Sequence, residues 1–159
     1  MGRAATTEEA LAFLKRCTKQ KPTIKVISPY FTPKYETPGS ACFDIEIAES
    51  FTLQPMELHN FPTGFRVELP KGYCLLVFAR SSLGQRKCII PNSVGVIDSD
   101  YRGEIFIPIM NLSDKPVHFQ EGHRYAQGMI IRAEQAGIEL VDALSETQRG
   151  SGGFGSTGA

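Results

Sequence analysis

Phe43-Asp-Ile-Glu-Ile47 alternates large apolar and acidic residues over its whole length. A period of two is the mark of a strand with one face in a core and the other toward solvent. From Thr23 onward the chain keeps this character, in short apolar runs separated by turn residues. The runs are 24–28, 43–47, 51–53, 57–61, 64–69, 73–79, 87–91, 94–97, 104–110, 116–119, 125–132 and 138–142. Many short strands at regular spacing predict an all-β fold, a sandwich, jelly roll or barrel. Pro108 lies inside one run. It cannot donate to a ladder, so it marks an edge or a bulge.

Upstream of the strands, Thr6-x-x-Glu9 is a capping-box pattern. Ala10, Leu14 and Cys17 then recur on one helical face, which predicts a short helix over 6–17. Downstream, a linker is expected near 143–148. Residues 149–159 hold five glycines among eleven positions, too many for the segment to keep a fold of its own. The expected organisation is an N-terminal helical extension (1–22), a β core (23–147) and a flexible Gly-rich C-terminal arm (148–159).

The whole chain has 159 residues, 42% of them hydrophobic, enough for one core. Seventeen basic and seventeen acidic residues balance, which argues against a non-specific nucleic-acid binder. No apolar run is long enough for a membrane span. Four cysteines (Cys17, Cys42, Cys74, Cys88) are widely spaced and form no C-x-x-C pair, so a reducing cytoplasmic setting is expected and a zinc site is not.

Five stretches carry polar groups beyond what strands need. Pro38-Gly-Ser-Ala-Cys-Phe-Asp44-Ile45 opens the alternating strand. Ala79-Arg-Ser-Ser-Leu-Gly84 follows an apolar run and offers hydroxyls and N–H groups where a helical turn begins, an anion-binding arrangement. The same text also reads as an ordinary N-cap serine. Asn92-Ser-Val-Gly-Val-Ile-Asp-Ser-Asp-Tyr-Arg-Gly103 brings Asp98 to the end of an apolar run, where a turn aspartate is the plain alternative to a catalytic one. Gly122-His-Arg-Tyr-Ala-Gln127 sets a glutamine inside a strand. The arm supplies Arg149 and two hydroxyls for phosphate and Phe154 for a base, with glycines that allow close backbone approach.

Together, in this order, the five stretches resemble the motifs of the trimeric deoxyuridine triphosphatase (dUTPase) family, over about Thr23 to Gly158. The resemblance implies a homotrimer of jelly-roll-like β-clip subunits with shared active sites. It implies a dUTP diphosphatase that converts dUTP and water to dUMP and pyrophosphate with Mg2+ by water attack on the α-phosphate. Such an enzyme lowers dUTP and supplies dUMP for dTTP synthesis. Carried onto this chain, Asp98 is the general base. Asn92 and the backbone of Gly95, Val96, Ile97 and Asp98, with the strand near Phe106, read uracil, and Tyr101 packs against the sugar. Arg80, Ser81, Ser82 and Gln127 hold phosphates. The arm brings Arg149, Gly155, Ser156 and Thr157 to the terminal phosphate and lays Phe154 over the base. Asp44 touches Mg2+ through water.

Three departures stand out. Cys42 replaces a usual glycine, His123 a usual acidic residue, and Gly128 a bulkier apolar residue. A deoxycytidine triphosphate deaminase of the same fold needs a glutamate where Pro108 stands and an arginine where Gln85 stands. A dUTPase-like regulatory or binding protein would be expected to lose Asp98 or the arm first, and both are intact.

Overall fold

A computed structural model describes Glu8 and residues 21–153. The helix expected over 6–17 falls, apart from Glu8, outside the described residues, as do Phe154, Gly155, Ser156 and Thr157.

The alternation at Phe43 is realised as a strand. In β2 (Phe43–Glu46) Phe43 and Ile45 are buried and Asp44 and Glu46 are half-buried. The other strands are β1 (Lys25–Ile27), β3 (Phe51–Leu53), β4 (Leu58–Phe61), β5 (Arg66–Glu68), β6 (Tyr73–Ala79), β7 (Cys88–Ile89), β8 (Gly95–Ile97), β9 (Ile107–Asn111), β10 (Val117–Phe119) and β11 (Arg124–Arg132). One short helix, α1 (Ser81–Gln85), follows β6. All pairings are antiparallel. They form a four-stranded sheet β2-β11-β6-β8, a three-stranded sheet β4-β9-β7 and the pairs β1-β5 and β10-β3. The result is an all-β, jelly-roll-like sandwich. No described helix is long and apolar enough to cross a membrane.

The inward faces share one core. Ile45, Leu53, Phe61, Phe65, Leu75, Ile107, Ile109 and Phe119 have no solvent exposure. Ring contacts knit it: Phe61 to Phe119 at 5.1 Å and Phe119 to Tyr125 at 4.9 Å, within the range of favourable aromatic pairs. Its two buried polar side chains are satisfied. Asn111 Nδ2 donates to the Leu53 and Lys115 carbonyls at 3.1 and 2.8 Å, while Thr63 Oγ1 donates to the Ile105 carbonyl at 2.6 Å. Unmade, such bonds cost about 1–3 kcal/mol per group. Glu104 adds a clasp on the same loop: its Oε1 accepts from the N–H groups of Thr63 at 3.1 Å and Gly64 at 2.8 Å.

Two expectations need correction. Residues 138–142 form no strand. Ile138 and Leu140 are 93% and 97% exposed; a strand needs a partner edge, and none among the described residues takes them. Irregular chain accordingly begins at Ala133, earlier than the expected linker. Pro108 sits in β9, the central strand of its sheet, not at the sheet's edge. It is tolerated there because β7 pairs only with Asn111 and Met110, so past Met110 that side of β9 has no β7 partner, while Asn60 of β4 lies opposite Pro108 on the other side.

Candidate functional site

The register of three strands assembles a cradle of charged and polar side chains. Gln127 of β11 lies between Asp44 of β2 and Phe78 of β6. Its Nε2 donates to the Ala79 carbonyl at 3.1 Å, at the point where β6 ends and Arg80, Ser81 and Ser82 begin α1. Arg80 Nε meets Asp44 Oδ1 at 3.1 Å, and the Arg80 N–H donates to the Tyr125 carbonyl at 2.9 Å. Asp44, Arg80 and Gln127 thus come together, with Ser81 and Ser82 directly after Arg80.

Sequence reading missed one member of this group. Arg124 Nη1 reaches Asp44 Oδ2 at 3.0 Å and Glu36 Oε1 at 2.8 Å. The β2–β11 register shifts between Arg124 and Ala126. A bulge of this kind re-aims a side chain, and here it turns Arg124 from its register partner Glu46 toward Asp44. Nothing in the linear text signals that turn.

Cys42 lies beside the cradle. Burial, and secondarily the Asp44 charge, push its thiol above the usual cysteine range. That shift keeps the thiol protonated over more of the neutral range and lowers its nucleophilicity.

At the far side of the four-stranded sheet, Asn92, Gly95, Val96, Ile97 and Phe106 line a recess of about 470 Å³. Asn60, Ile90, Ile105 and Pro108 also line it; Asn60 was read only as part of a strand run. β8 is the edge of its sheet, so one side of its backbone has no ladder partner among the described residues. An edge strand is a row of alternating donors and acceptors, fitted to a planar base edge that alternates in the same way.

β8 runs directly into Asp98, which is exposed in a neighbouring recess of about 870 Å³ with Tyr73, Ser99, Asp100 and Arg102. Tyr101 folds over Gly103, where any Cβ would fall 2.3 Å from its Oη, and its hydroxyl donates to the Glu104 carbonyl at 2.9 Å. Arg149 Nε donates to the Gly152 carbonyl at 2.9 Å, so that side chain is engaged with its own turn.

Asp98 and Arg80 stand at opposite ends of β6. Val77 pairs with Gly95 and Leu75 with Ile97, which carries Asp98 to the level of Cys74. From there to Arg80 the strand runs roughly 20 Å at about 3.3 Å per residue.

A family model described as dUTPase matches residues 29–158 of this chain. The chain belongs to the dUTPase family. A deoxyuridine 5'-triphosphate nucleotidohydrolase of Dictyoglomus turgidum is 44% identical over 131 residues, covering 79% of this chain and 89% of that dUTPase. The Staphylococcus bacteriophage 80alpha dUTPase, solved with dUpNHpp, superposes with a TM-score of 0.79 at 25% identity, over 86% of this chain and 99% of that one. A dUTPase from phage phi11 of S. aureus, in which a structural Mg(II) ion is coordinated, shares the fold, with a TM-score of 0.71 at 23% identity over 78% of this chain and 99% of that one.

Proposed function

We propose that this protein is a dUTP diphosphatase that hydrolyses dUTP to dUMP and pyrophosphate and works as a homotrimer whose sites draw on more than one subunit. The observation that carries the reading is the separation just described. A general base must lie within about 2.6–3.2 Å of the proton it takes. A guanidinium must lie about 2.7–2.9 Å from the phosphate oxygen it binds. Asp98 and the Arg80 cradle of one chain, roughly 20 Å apart along β6, cannot both serve one α-phosphate. Asp98 of one copy and the cradle of another can.

The residues divide the work accordingly. The free edge of β8, with Asn92 and Phe106, reads the O4–N3–O2 edge of uracil. Tyr101, fixed over Gly103, packs against the deoxyribose where a 2′-hydroxyl needs room. Asp98, directly after β8, orients a water and takes its proton as the water attacks the α-phosphorus in line. In-line phosphoryl transfer asks for positioning and charge stabilisation and little covalent help. Arg80, Ser81, Ser82 and Gln127 hold the phosphates. The arm, 148–159, brings Arg149, Gly155, Ser156 and Thr157 to the terminal phosphate and Phe154 to the base.

Mg2+ fits the donors present. Asp44 is the carboxylate at the cradle, and each of its oxygens already accepts from a guanidinium. A carboxylate has about four lone-pair sites, so two remain for water. Among the described residues no cluster of three or more His, Cys, Asp or Glu side chains could hold a metal. Asp44 would hold such an ion through water, with phosphate oxygens and further water as the remaining ligands. When bound, the ion neutralises charge on the phosphates. A reducing cytoplasmic setting is in keeping with the free thiols of Cys42, Cys74 and Cys88.

Pyrophosphate release from dUTP, dCTP, dTTP and UTP with Mg2+ tests the reading. A site that pairs a base edge with fixed backbone groups discriminates by about 10⁴–10⁵, so dUTP alone should turn over well. Comparable kcat/KM on dCTP or UTP would overturn it.

A further inference from the structure

Beside the cradle, and sharing Arg80 and Ser82 with it, lies a recess of about 290 Å³ whose other residues no step above uses. Arg80, Ser82, Arg86, His123, Arg124 and Tyr125 line it. No acidic side chain does. Two of its three guanidiniums are matched by carboxylates at the rim: Arg80 by Asp44, and Arg124 by Asp44 and Glu36. The third is held differently. Arg86 Nη1 donates to the His118 carbonyl at 2.9 Å, and its guanidinium carbon stands 5.3 Å from the Tyr125 ring centroid and 5.9 Å from that of Phe119. Among the described residues no carboxylate pairs with it.

Arg86 is thus a cation fixed in place by a backbone oxygen and two aromatic rings, with its remaining edge N–H groups open. A fixed guanidinium fork is suited to binding two oxygens of a phosphate group side by side. His123 adds a ring nitrogen, Nε2, to the wall, while its Nδ1 lies 3.5 Å from the Tyr125 hydroxyl. Arg80 and Ser82 belong to both the cradle and this recess, so the two are continuous.

We propose that this recess is a second oxyanion station, in which inorganic pyrophosphate is held after it leaves the cradle. The proposal rests on Arg80 and Ser82 being phosphate ligands. Pyrophosphate, cut from the nucleotide, can pass from Arg80 and Ser82 to Arg86 while Arg124 stays beside it. The nucleoside monophosphate has no such path, because its phosphate stays tied to the base recess.

The test is direct binding of sodium pyrophosphate to the full chain by calorimetry, with dUMP as the control ligand. Arg86→Gln removes the cation that lacks a carboxylate. It is expected to weaken pyrophosphate about tenfold, the effect of losing a charge-assisted hydrogen bond, and to leave dUMP affinity unchanged. His123→Glu keeps every guanidinium but places a carboxylate in the wall. It is expected to weaken pyrophosphate as well, and it serves where loss of the Tyr125 and Phe119 stacking unsettles the first variant. Unchanged pyrophosphate affinity in both variants, with loss in Arg80→Gln, overturns the second station and leaves the cradle standing. Unchanged affinity in Arg80→Gln too overturns the cradle itself. Equal loss of dUMP and pyrophosphate in Arg86→Gln overturns the selectivity on which the station rests.

Discussion

If a site takes Asp98 from one subunit and its phosphate cradle from another, two dead proteins should make a living one. Asp98→Asn removes the base and keeps its shape; loss of a positioned general base costs about 10²–10⁴ in rate. Arg80→Gln disables the cradle from the other end of β6. In a trimer assembled at random from equal amounts of the two, a site is intact only when its Asp98 donor carries the Arg80 change and its Arg80 donor carries the Asp98 change. Each condition holds for half the donors, so about one site in four is whole. Against the Asp98→Asn parent at about 1% of wild type or less, the mixture should gain at least about 25-fold. The assay is pyrophosphate release from dUTP after the two chains are co-expressed under different tags and purified as mixed oligomers. The roughly 20 Å between the two groups requires this gain. Activity no higher than that of the better parent refutes it, and so does a monomer by light scattering.

Three further outcomes are expected. Removing residues 149–159 should lower kcat for dUTP severely while shifting the Tm of the nucleotide-free protein little, since none of the described residues of that segment, 149–153, belongs to the core; a normally active truncation would refute the clamping role. Glu104→Ala leaves the N–H groups of Thr63 and Gly64 without their acceptor. At the low end of the range for unsatisfied donors this costs about 2–3 kcal/mol in total, read by urea denaturation, and a loss below about 0.5 kcal/mol would show the clasp to be idle. Cys42, raised by burial and then by Asp44, should alkylate slowly at pH 7. Its rate should climb steadily as pH rises toward 9, because the thiolate is the reactive form, and Asp44→Asn should quicken it. Peptide mass spectrometry follows the site, and a rate flat in pH would contradict the shift.

Most strands were legible because each buries one apolar face against another strand of the same chain. The run 138–142 was misread for the same reason: Ile138 and Leu140 carry a strand's residues but find no edge among the described residues. Asp44, Arg80, Ser81, Ser82 and Gln127 were chosen from sequence, and the β2-β11-β6 order brings them together. Arg124 was not, because a bulge rather than a spacing aims it. Arg86 was not, because its distinction is the carbonyl and two rings that hold it, all distant in sequence. The roughly 20 Å between Asp98 and Arg80 follows from a pairing register, which a sequence does not print.

Gly128 stands opposite Phe43 across β2 and β11. A Cβ there would fall 2.7 Å from Phe43 Cζ and 2.8 Å from Leu75 Cδ1. The space a bulkier residue at 128 would fill is therefore occupied by its neighbours. A large side chain there would make Phe43 and Leu75 give way, and overpacking of this kind costs about 1–3 kcal/mol. Trimming Phe43 to make the room costs about 3–5 kcal/mol, as for any aromatic truncated in a core. The glycine and the phenylalanine are thus two halves of one volume, and a change at either is felt at the other.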